Sequence, residues 1–164
     1  MEIDFVAFAG DCLVHGQLDL GTERLTELLN QQSTYRITQA TLESLADGHA
    51  VQLDSVELRR EELFAVQATG PRGLEARRIY TVRHRLILEL GPYTVVGNIH
   101  SMPGVTPLAS VGLRRAMLPL TEVTISFVRG NEVVNHGCPT LVVNGALAKT
   151  VRIDEAPAEV AYGA

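Results

Sequence analysis

The amino-acid sequence predicts an all-β protein with one or two short helices, built as two tandem units. The first observation is an internal repeat, in which Val14–Leu18 returns as Val95–Ile99, 81 positions later. The second is an alternation of apolar and polar residues that is typical of half-buried strands. The third is the even spacing of turn-forming glycines between short apolar segments. A self-match at so long a period indicates a duplicated structural unit.

The repeat also sets the boundaries of the two units. Ile37–Leu42 returns as Leu120–Ile125 at an offset of 83, so a two-residue insertion separates the two matching blocks. We place the first unit at residues 1–69, a connector at 70–77, the second unit at 78–153 and a flexible tail at 154–164. Units of about 75 residues are only marginally stable alone. We therefore expect them to pack on each other, on neighbouring subunits, or both.

The first unit opens with two strands, Ile3–Ala9 and Cys12–Leu20, which a tight turn at Gly10 joins. In the second strand, alternate residues place one apolar face opposite one polar face. Gly16 interrupts that strand and predicts a bulge or a sharp bend. Gly97 occupies the same place in the repeat, so we expect the same bend there.

A short helix is predicted next in the first unit. Leu25, Leu28 and Leu29 have the spacing of one helical face. Thr22 is the expected N-cap, and Asn30 is expected to end the helix.

The remaining segments of each unit read as strands. In the first unit they lie at about 35–45, 50–58 and 63–69, and in the second at about 117–129, 132–138, 140–143 and 148–153. Many short strands at even spacing favour a small barrel or sandwich over a parallel α/β sheet.

The segment Arg24–Asn30, followed by Tyr35–Ala40, resembles a bacterial family of unknown function. That family is recognised by an Arg-Leu-Ser/Thr-Asp/Glu-Leu-Leu-Asn segment leading into a strand. The flanking strands resemble those of small Sm-like barrels. The second unit is similar at Leu118–Val123 but lacks the Arg-Leu-x-x-Leu-Leu-Asn segment. The resemblance implies two tandem Sm-like small β-barrels; Sm-like proteins form rings by strand pairing between subunits, and many of them bind RNA.

Charge is distributed unevenly along the chain, whose formal net charge is −5. Residues 1–69 carry 12 acidic and 4 basic side chains, while residues 70–90 carry 5 arginines and 2 glutamates. Unlike patches of this kind steer head-to-tail association. The alternative is a solvated surface with one basic linker.

An arginine-rich connector is the candidate contact for nucleic acid or for an acidic partner. A basic run with an aromatic residue can follow a phosphate backbone and stack on a base. The chain as a whole is acidic, which is unusual for a dedicated nucleic-acid binder. The candidate residues are Arg72, Arg77, Arg78, Tyr80, Arg83 and Arg85.

The sequence gives little support for a metal site or a catalytic site. Cys12, His15, His136 and Cys138 supply the residue types of a zinc site, but Cys12 and His15 fall on opposite faces of a predicted strand. No Gly-x-Ser-x-Gly elbow and no glycine-rich phosphate loop is present. We therefore predict no catalytic residue, no metal, no cofactor and no enzymatic activity.

The sequence points to a non-catalytic scaffold or adaptor that self-associates or docks a protein partner through barrel edges. The apolar pairs Val95-Val96 and Val142-Val143 are the expected edges. The helical segment is a second candidate partner surface, through Arg24, Glu27, Leu28 and Asn30. One alternative is an RNA- or single-stranded-DNA-binding Sm-like protein that uses the arginine-rich connector. A second is a small-ligand-binding or enzymatic barrel.

A cytoplasmic location without membrane association is expected. The N-terminus has no basic region of the kind that precedes a secretory signal. No apolar run approaches the ~20 residues of a membrane helix. The two cysteines suggest no disulfide framework.

Overall fold

The computed structural model of this chain describes residues 1–67, 69, 82–104, 106–108 and 116–154. It is mostly strand, with one α-helix of more than one turn among those residues, so the predicted β-rich class is confirmed. The first half contains β1 (Glu2–Ala9), β2 (Cys12–Asp19), α1 (Leu25–Gln31), β3 (Thr34–Ser44), β4 (Ala50–Arg59) and β5 (Leu63–Gln67). The second half contains β6 (Val82–Leu90), β7 (Tyr93–Ser101), β8 (Met117–Arg129), β9 (Glu132–Asn144) and β10 (Thr150–Ile153).

All ten strands belong to one antiparallel sheet, in the order β10-β6-β7-β8-β9-β5-β1-β2-β3-β4. The order β5-β1-β2-β3-β4 in the first half is repeated as β10-β6-β7-β8-β9 in the second. A short 3₁₀ turn precedes the last strand of each half, at Arg60–Glu62 and Gly145–Leu147. Pairing of β5 with β9 joins the halves, so β4 and β10 lie at the two ends of the sheet.

The bulge that Gly16 predicts is confirmed in both halves. The register between β2 and β3 shifts at Gly16, and that between β7 and β8 shifts at Gly97. Opposite each glycine the neighbouring strand holds a non-glycine residue with positive φ, Gln39 at 50° and Glu122 at 51°. A Cβ on Gly16 would lie 2.5 Å from Cγ2 of Ile37, so only glycine lets the two strands approach this closely.

The helix begins later than its sequence pattern predicts. Its N-cap is Arg24, not Thr22, and it ends at Gln31, one residue past Asn30. The Glu23 amide donates to the Leu20 carbonyl at 3.0 Å, so Thr22 belongs to a turn that precedes the helix. The three leucines with helical spacing are buried, as their pattern predicts.

A single strand, β9, replaces the two strands predicted at 132–138 and 140–143. Pro139 lies within this strand, although proline cannot donate a hydrogen bond within a sheet. β9 pairs with β5 only through Leu141–Val143, so at Pro139 only β8 lies alongside, within the part of the chain described. The strand can therefore pass through the proline.

Two hydrophobic cores form, and each takes side chains from both halves. The core around α1 consists mainly of first-half residues such as Tyr35, but includes Met117 and Val142. The other core consists mainly of second-half residues, but includes Phe8 and Leu45. Each half therefore completes the core of the other.

Candidate protein-interaction site

The two halves of the sheet meet where β5 pairs with β9. Ala65 pairs with Val143, Val66 with Val142, and Gln67 with Leu141. Five of these six side chains are buried, and Gln67 is partly exposed. The edge predicted at Val142-Val143 is therefore already paired with β5 of the same chain. Val95-Val96 lies in β7, between β6 and β8, so the prediction of a free edge there is wrong.

Aromatic rings reinforce the junction. The Phe8 ring of β1 meets the Tyr93 ring of β7 edge-on, with centroids 5.6 Å apart, and Tyr93 meets Phe127 at 5.5 Å. Such edge-to-face contacts add to the energy of burial. The Tyr93 hydroxyl donates to the Ala9 carbonyl, and burial raises the pKa of that phenol.

Polar contacts also cross between the halves. The Asn30 side chain accepts a hydrogen bond from the Met117 amide and donates to the Met117 carbonyl, both at 3.0 Å. The Arg129 guanidinium lies 2.6 Å from the Glu43 carboxylate. The Asn144 amide donates to the Leu63 carbonyl at 3.1 Å. These bonds fix the relative position of α1, β5 and the second half.

One end of the sheet is β4, whose residues are almost all exposed. Among the described residues it has a neighbour on one side only, β3. Its large exposed apolar side chains are Val51 and Leu53, and it carries the acids Asp54 and Glu57.

The opposite end of the sheet is β10. Within the described ranges, β6 is its only neighbour. Ile153 is a large exposed apolar side chain on this strand, Arg152 is an exposed base, and Lys149 comes directly before the strand. β4 also ends in the exposed base Arg59, and the acid Asp154 follows β10, so neither end of the sheet carries charge of one sign.

The shared register shows which residues of the two halves correspond. Gln17 pairs with Thr38 where Asn98 pairs with Thr121. Corresponding residues differ by 81 positions in β1 and β2, and by 83 in β3. The offset is 85 in β5, because Val6 pairs with Gln67 as Ile87 pairs with Arg152. It is also 85 in β4, because Thr34 pairs with Arg59 as Met117 pairs with Asn144. By this correspondence β9 and β5, which meet inside the chain, match β4 and β10, which lie at the ends.

Burial differs sharply between corresponding positions. Leu53 of β4 is 42% exposed, while its counterpart Cys138 of β9 is 6% exposed. Leu45, in the first half, is 8% exposed, while its counterpart Val128 is 53% exposed. Cys138 and Leu45 belong to the hydrophobic core that takes side chains from both halves, while Leu53 and Val128 belong to neither core.

The helical residues predicted as a partner surface divide into two groups. Arg24 and Glu27 are exposed, and the Arg24 amide donates to the Glu27 carboxylate at 3.5 Å. Leu28 is buried in the core, and the Asn30 side chain is bound to β8. Leu28 is therefore not part of an exposed surface, and the half-buried Asn30 side chain is engaged with the backbone of β8.

The arginine-rich segment is only partly within the described residues. Arg72, Arg77, Arg78 and Tyr80 lie outside them. Arg83 lies 3.7 Å from the Glu122 carboxylate, and Arg85 lies 3.5 Å from Asp154. Nucleic-acid binding through this segment stays a prediction.

No group of three or more metal-ligating side chains occurs in the described part of the chain. The Cys12 and Cys138 thiols have pKa values raised to about 11, mainly because burial disfavours the thiolate. A neutral thiol is a poor nucleophile and a poor metal ligand. His136 lies 3.0 Å from the Gln67 side-chain oxygen, across the β5–β9 junction.

Sequence reasoning missed Arg60. Its guanidinium donates to the carbonyls of Leu29 and Asn30, at 3.0 and 2.8 Å, and so satisfies the last turn of α1. The available signal was weak, since Arg60 follows β4 and lies about 30 positions from the helix.

Comparisons with models of protein families, with curated proteins and with solved structures found nothing that matches this chain. The resemblance to the family with the Arg-Leu-x-x-Leu-Leu-Asn segment therefore stays a prediction. None of the helices in the described residues has the length and apolarity needed to cross a membrane.

Proposed function

We propose that this protein is a non-catalytic scaffold or adaptor that self-associates or docks a protein partner by strand pairing at β4 and β10. One observation carries the proposal. The chain joins its own halves by pairing β5 with β9, while the corresponding strands at the sheet ends have no second neighbour among the described residues.

A free sheet edge presents a row of backbone donors and acceptors to any extended segment of matching length. Proteins that avoid such pairing use short edge strands, prolines or bulges. β4 is 10 residues long and contains no proline. Val51 and Leu53 add exposed apolar surface to it, so that pairing would bury apolar area as well as form hydrogen bonds.

The proposal includes the architecture of two tandem Sm-like barrels. Three features support it: the repeated strand order, the bulge at Gly16 and Gly97, and the two hydrophobic cores. Small barrels need bends of this kind because a strand must turn from one side of the barrel to the other.

The test places a charge on the β4 edge. Leu53→Lys puts an ammonium group at the strand that would pair, and edge lysines oppose strand addition. Because Leu53 is largely exposed, the fold should survive, which circular dichroism would verify. Met102→Lys is the matched control, since Met102 is more exposed and lies outside the strands.

Light scattering and sedimentation from low to high micromolar concentration give the readout, alone and with proteins that co-purify from the native cell. We expect the wild type and Met102→Lys to form the same assembly and Leu53→Lys to lose it. A wild-type chain that stays monomeric throughout and retains no partner contradicts the proposal.

A further inference from the structure

We infer that the β4 edge binds an extended segment of a different protein, in which three apolar residues and three charged residues match those of β4. The inference rests on the proposed function and specifies which partner fits this edge best, a protein of another sequence or a second copy. The register follows from the internal junction, where β9, the counterpart of β4, is already paired with β5.

The internal junction shows how a strand pairs at this position of the repeat. β5 runs antiparallel to β9, with Val66 opposite Val142. Val142 corresponds to Glu57 of β4, 85 positions earlier. A segment that repeats this register is antiparallel to β4 and has its third residue opposite Glu57. Its first seven residues then lie opposite Arg59, Leu58, Glu57, Val56, Ser55, Asp54 and Leu53.

Burial along β3 specifies the apolar positions of the segment. Ile37 is buried opposite Val56, and Ala40 is buried opposite Leu53, so the buried residues on either side of the bend are three apart instead of two. A segment on the other side of β4 follows the same bend, because cross-strand neighbours share a face of the sheet. It therefore needs apolar residues at its second, fourth and seventh positions, opposite Leu58, Val56 and Leu53. Covering Leu53, which is 42% exposed, removes apolar area from water.

The exposed charges of β4 specify the charged positions of the segment. They are the base Arg59 and the acids Glu57 and Asp54. Arg59 forms ion pairs with Glu61 and Glu62, but its side chain stays 63% exposed and accessible to a partner. Unlike charges directly opposite each other stabilise neighbouring strands, and like charges destabilise them. The matching segment therefore has an acid at its first position and bases at its third and sixth.

A second copy of the chain matches this pattern poorly. In the same register, β10 and its flanking residues bring Lys149 opposite Arg59 and Asp154 opposite Asp54, which are two pairs of like charge. Salt screens exposed charges, so these pairs weaken the association of copies without preventing it. We therefore expect copies to pair at this edge only at high concentration, and a matched segment of another protein to bind more tightly.

Two isomeric peptides with blocked termini test the pattern. The matched peptide is Glu-Val-Lys-Val-Thr-Lys-Val. The control peptide, Lys-Val-Glu-Val-Thr-Lys-Val, exchanges the first and third residues and so keeps the composition and the net charge. Each is titrated to millimolar concentration into the ¹⁵N-labelled chain, diluted until light scattering shows single copies, while NMR follows the backbone amide signals. A nitroxide on the first residue of the matched peptide should broaden the signals near Arg59 and not those near Ala50, because the register is antiparallel.

We expect the matched peptide to shift the amide signals of β4 and to bind about tenfold more tightly than the control, because the exchange turns two unlike pairs into like pairs. Glu57→Lys should abolish most of this preference, since each peptide then has one unlike and one like pair. Met102→Lys should keep the preference, because Met102 lies outside the strands.

Equal affinity of the two peptides, or shifts confined to residues outside β4, would overturn the inference. Failure of both peptides to bind would also overturn it. In each case the proposed function would stand if Leu53→Lys still disrupted self-association or the retention of a co-purifying protein. A chain that binds neither peptide, stays monomeric and retains no partner would contradict both.

Discussion

Gly16 and Gly97 are the residues on which the shape of each half most directly depends. At each, the strand bends where a side chain of the next strand fills the space that a Cβ would need. The clash is more severe at Gly16, where a Cβ would meet Ile37 at 2.5 Å and the Thr38 carbonyl oxygen at 2.8 Å. At Gly97 the corresponding backbone oxygen, that of Thr121, lies at 3.4 Å, and Val123 Cγ2 lies at 2.8 Å.

We expect Gly16→Ala to destabilise the fold by about 1–3 kcal/mol, since overpacking forces backbone shifts. Gly97→Ala should destabilise less, because only a side-chain methyl group would lie within 3.0 Å of its Cβ, while at Gly16 the Thr38 backbone oxygen is that close as well. Gly10→Ala is the control, since its Cβ would meet nothing closer than 3.7 Å. Urea denaturation gives the free energy of unfolding, and equal stability of all three variants would contradict this account of the bend.

At the scale of elements, the helix α1 is held by groups distant in sequence. Seven residues are too few for a stable isolated helix, so its stability must come from tertiary contacts. Leu25, Leu28 and Leu29 supply the apolar contacts. Arg60 donates to the carbonyls of the last turn, and Asn30 binds the β8 backbone.

Replacing Arg60 by Met keeps much of the apolar stem but removes the donors to Leu29 and Asn30. We expect a loss of about 1.5–3 kcal/mol in the free energy of unfolding, typical of hydrogen bonds to charged groups. Arg59→Met is the matched control. Within the described residues, the Arg59 side chain forms exposed ion pairs with Glu61 and Glu62, and such pairs contribute little.

Chemical denaturation followed by circular dichroism compares the two variants. If Arg59→Met destabilised the fold as much as Arg60→Met, the carbonyl contacts of Arg60 could not be the cause.

Local features of this fold were predictable, and the pairing of distant segments was not. The bulge at Gly16, the bounds of β8 and the buried face of α1 follow from residue type and period. Leu28 and Asn30 were assigned to a surface because a short helix reveals its apolar face but not its neighbours. The β5–β9 junction joins segments about 75 positions apart, and no local pattern specifies such a pairing.

At the scale of the whole molecule, duplication has produced corresponding positions with opposite roles. One junction between corresponding edges lies inside the chain, and its counterpart edges lie at the two ends of the sheet. A residue at the internal junction should therefore contribute to folding, while its counterpart should contribute to assembly. Leu45 and Val128 are such a pair.

Leu45→Ala should lower the free energy of unfolding by about 2–4 kcal/mol, because a buried leucine loses its contacts and leaves a cavity. Val128→Ala should leave the unfolding of the dilute chain nearly unchanged, since most of that side chain already faces solvent. At high concentration, where copies of the chain associate, Val128→Ala is expected to have the larger effect. Val128→Ala should weaken assembly in light scattering, because strand pairing between copies at β4 and β10 that repeats the internal junction would place Val128 where Leu45 lies inside the chain.

The two measurements separate folding from assembly, provided that denaturation is followed at low concentration, where mass action opposes association. Leu45→Ala is then assayed for assembly only under conditions in which circular dichroism shows it folded. Equal loss of stability in both variants would mean that the exposed position already contributes to the fold of the single chain. Unchanged assembly of Val128→Ala would mean that the contact between copies does not repeat the internal junction, because the same strand geometry would have to bury that side chain.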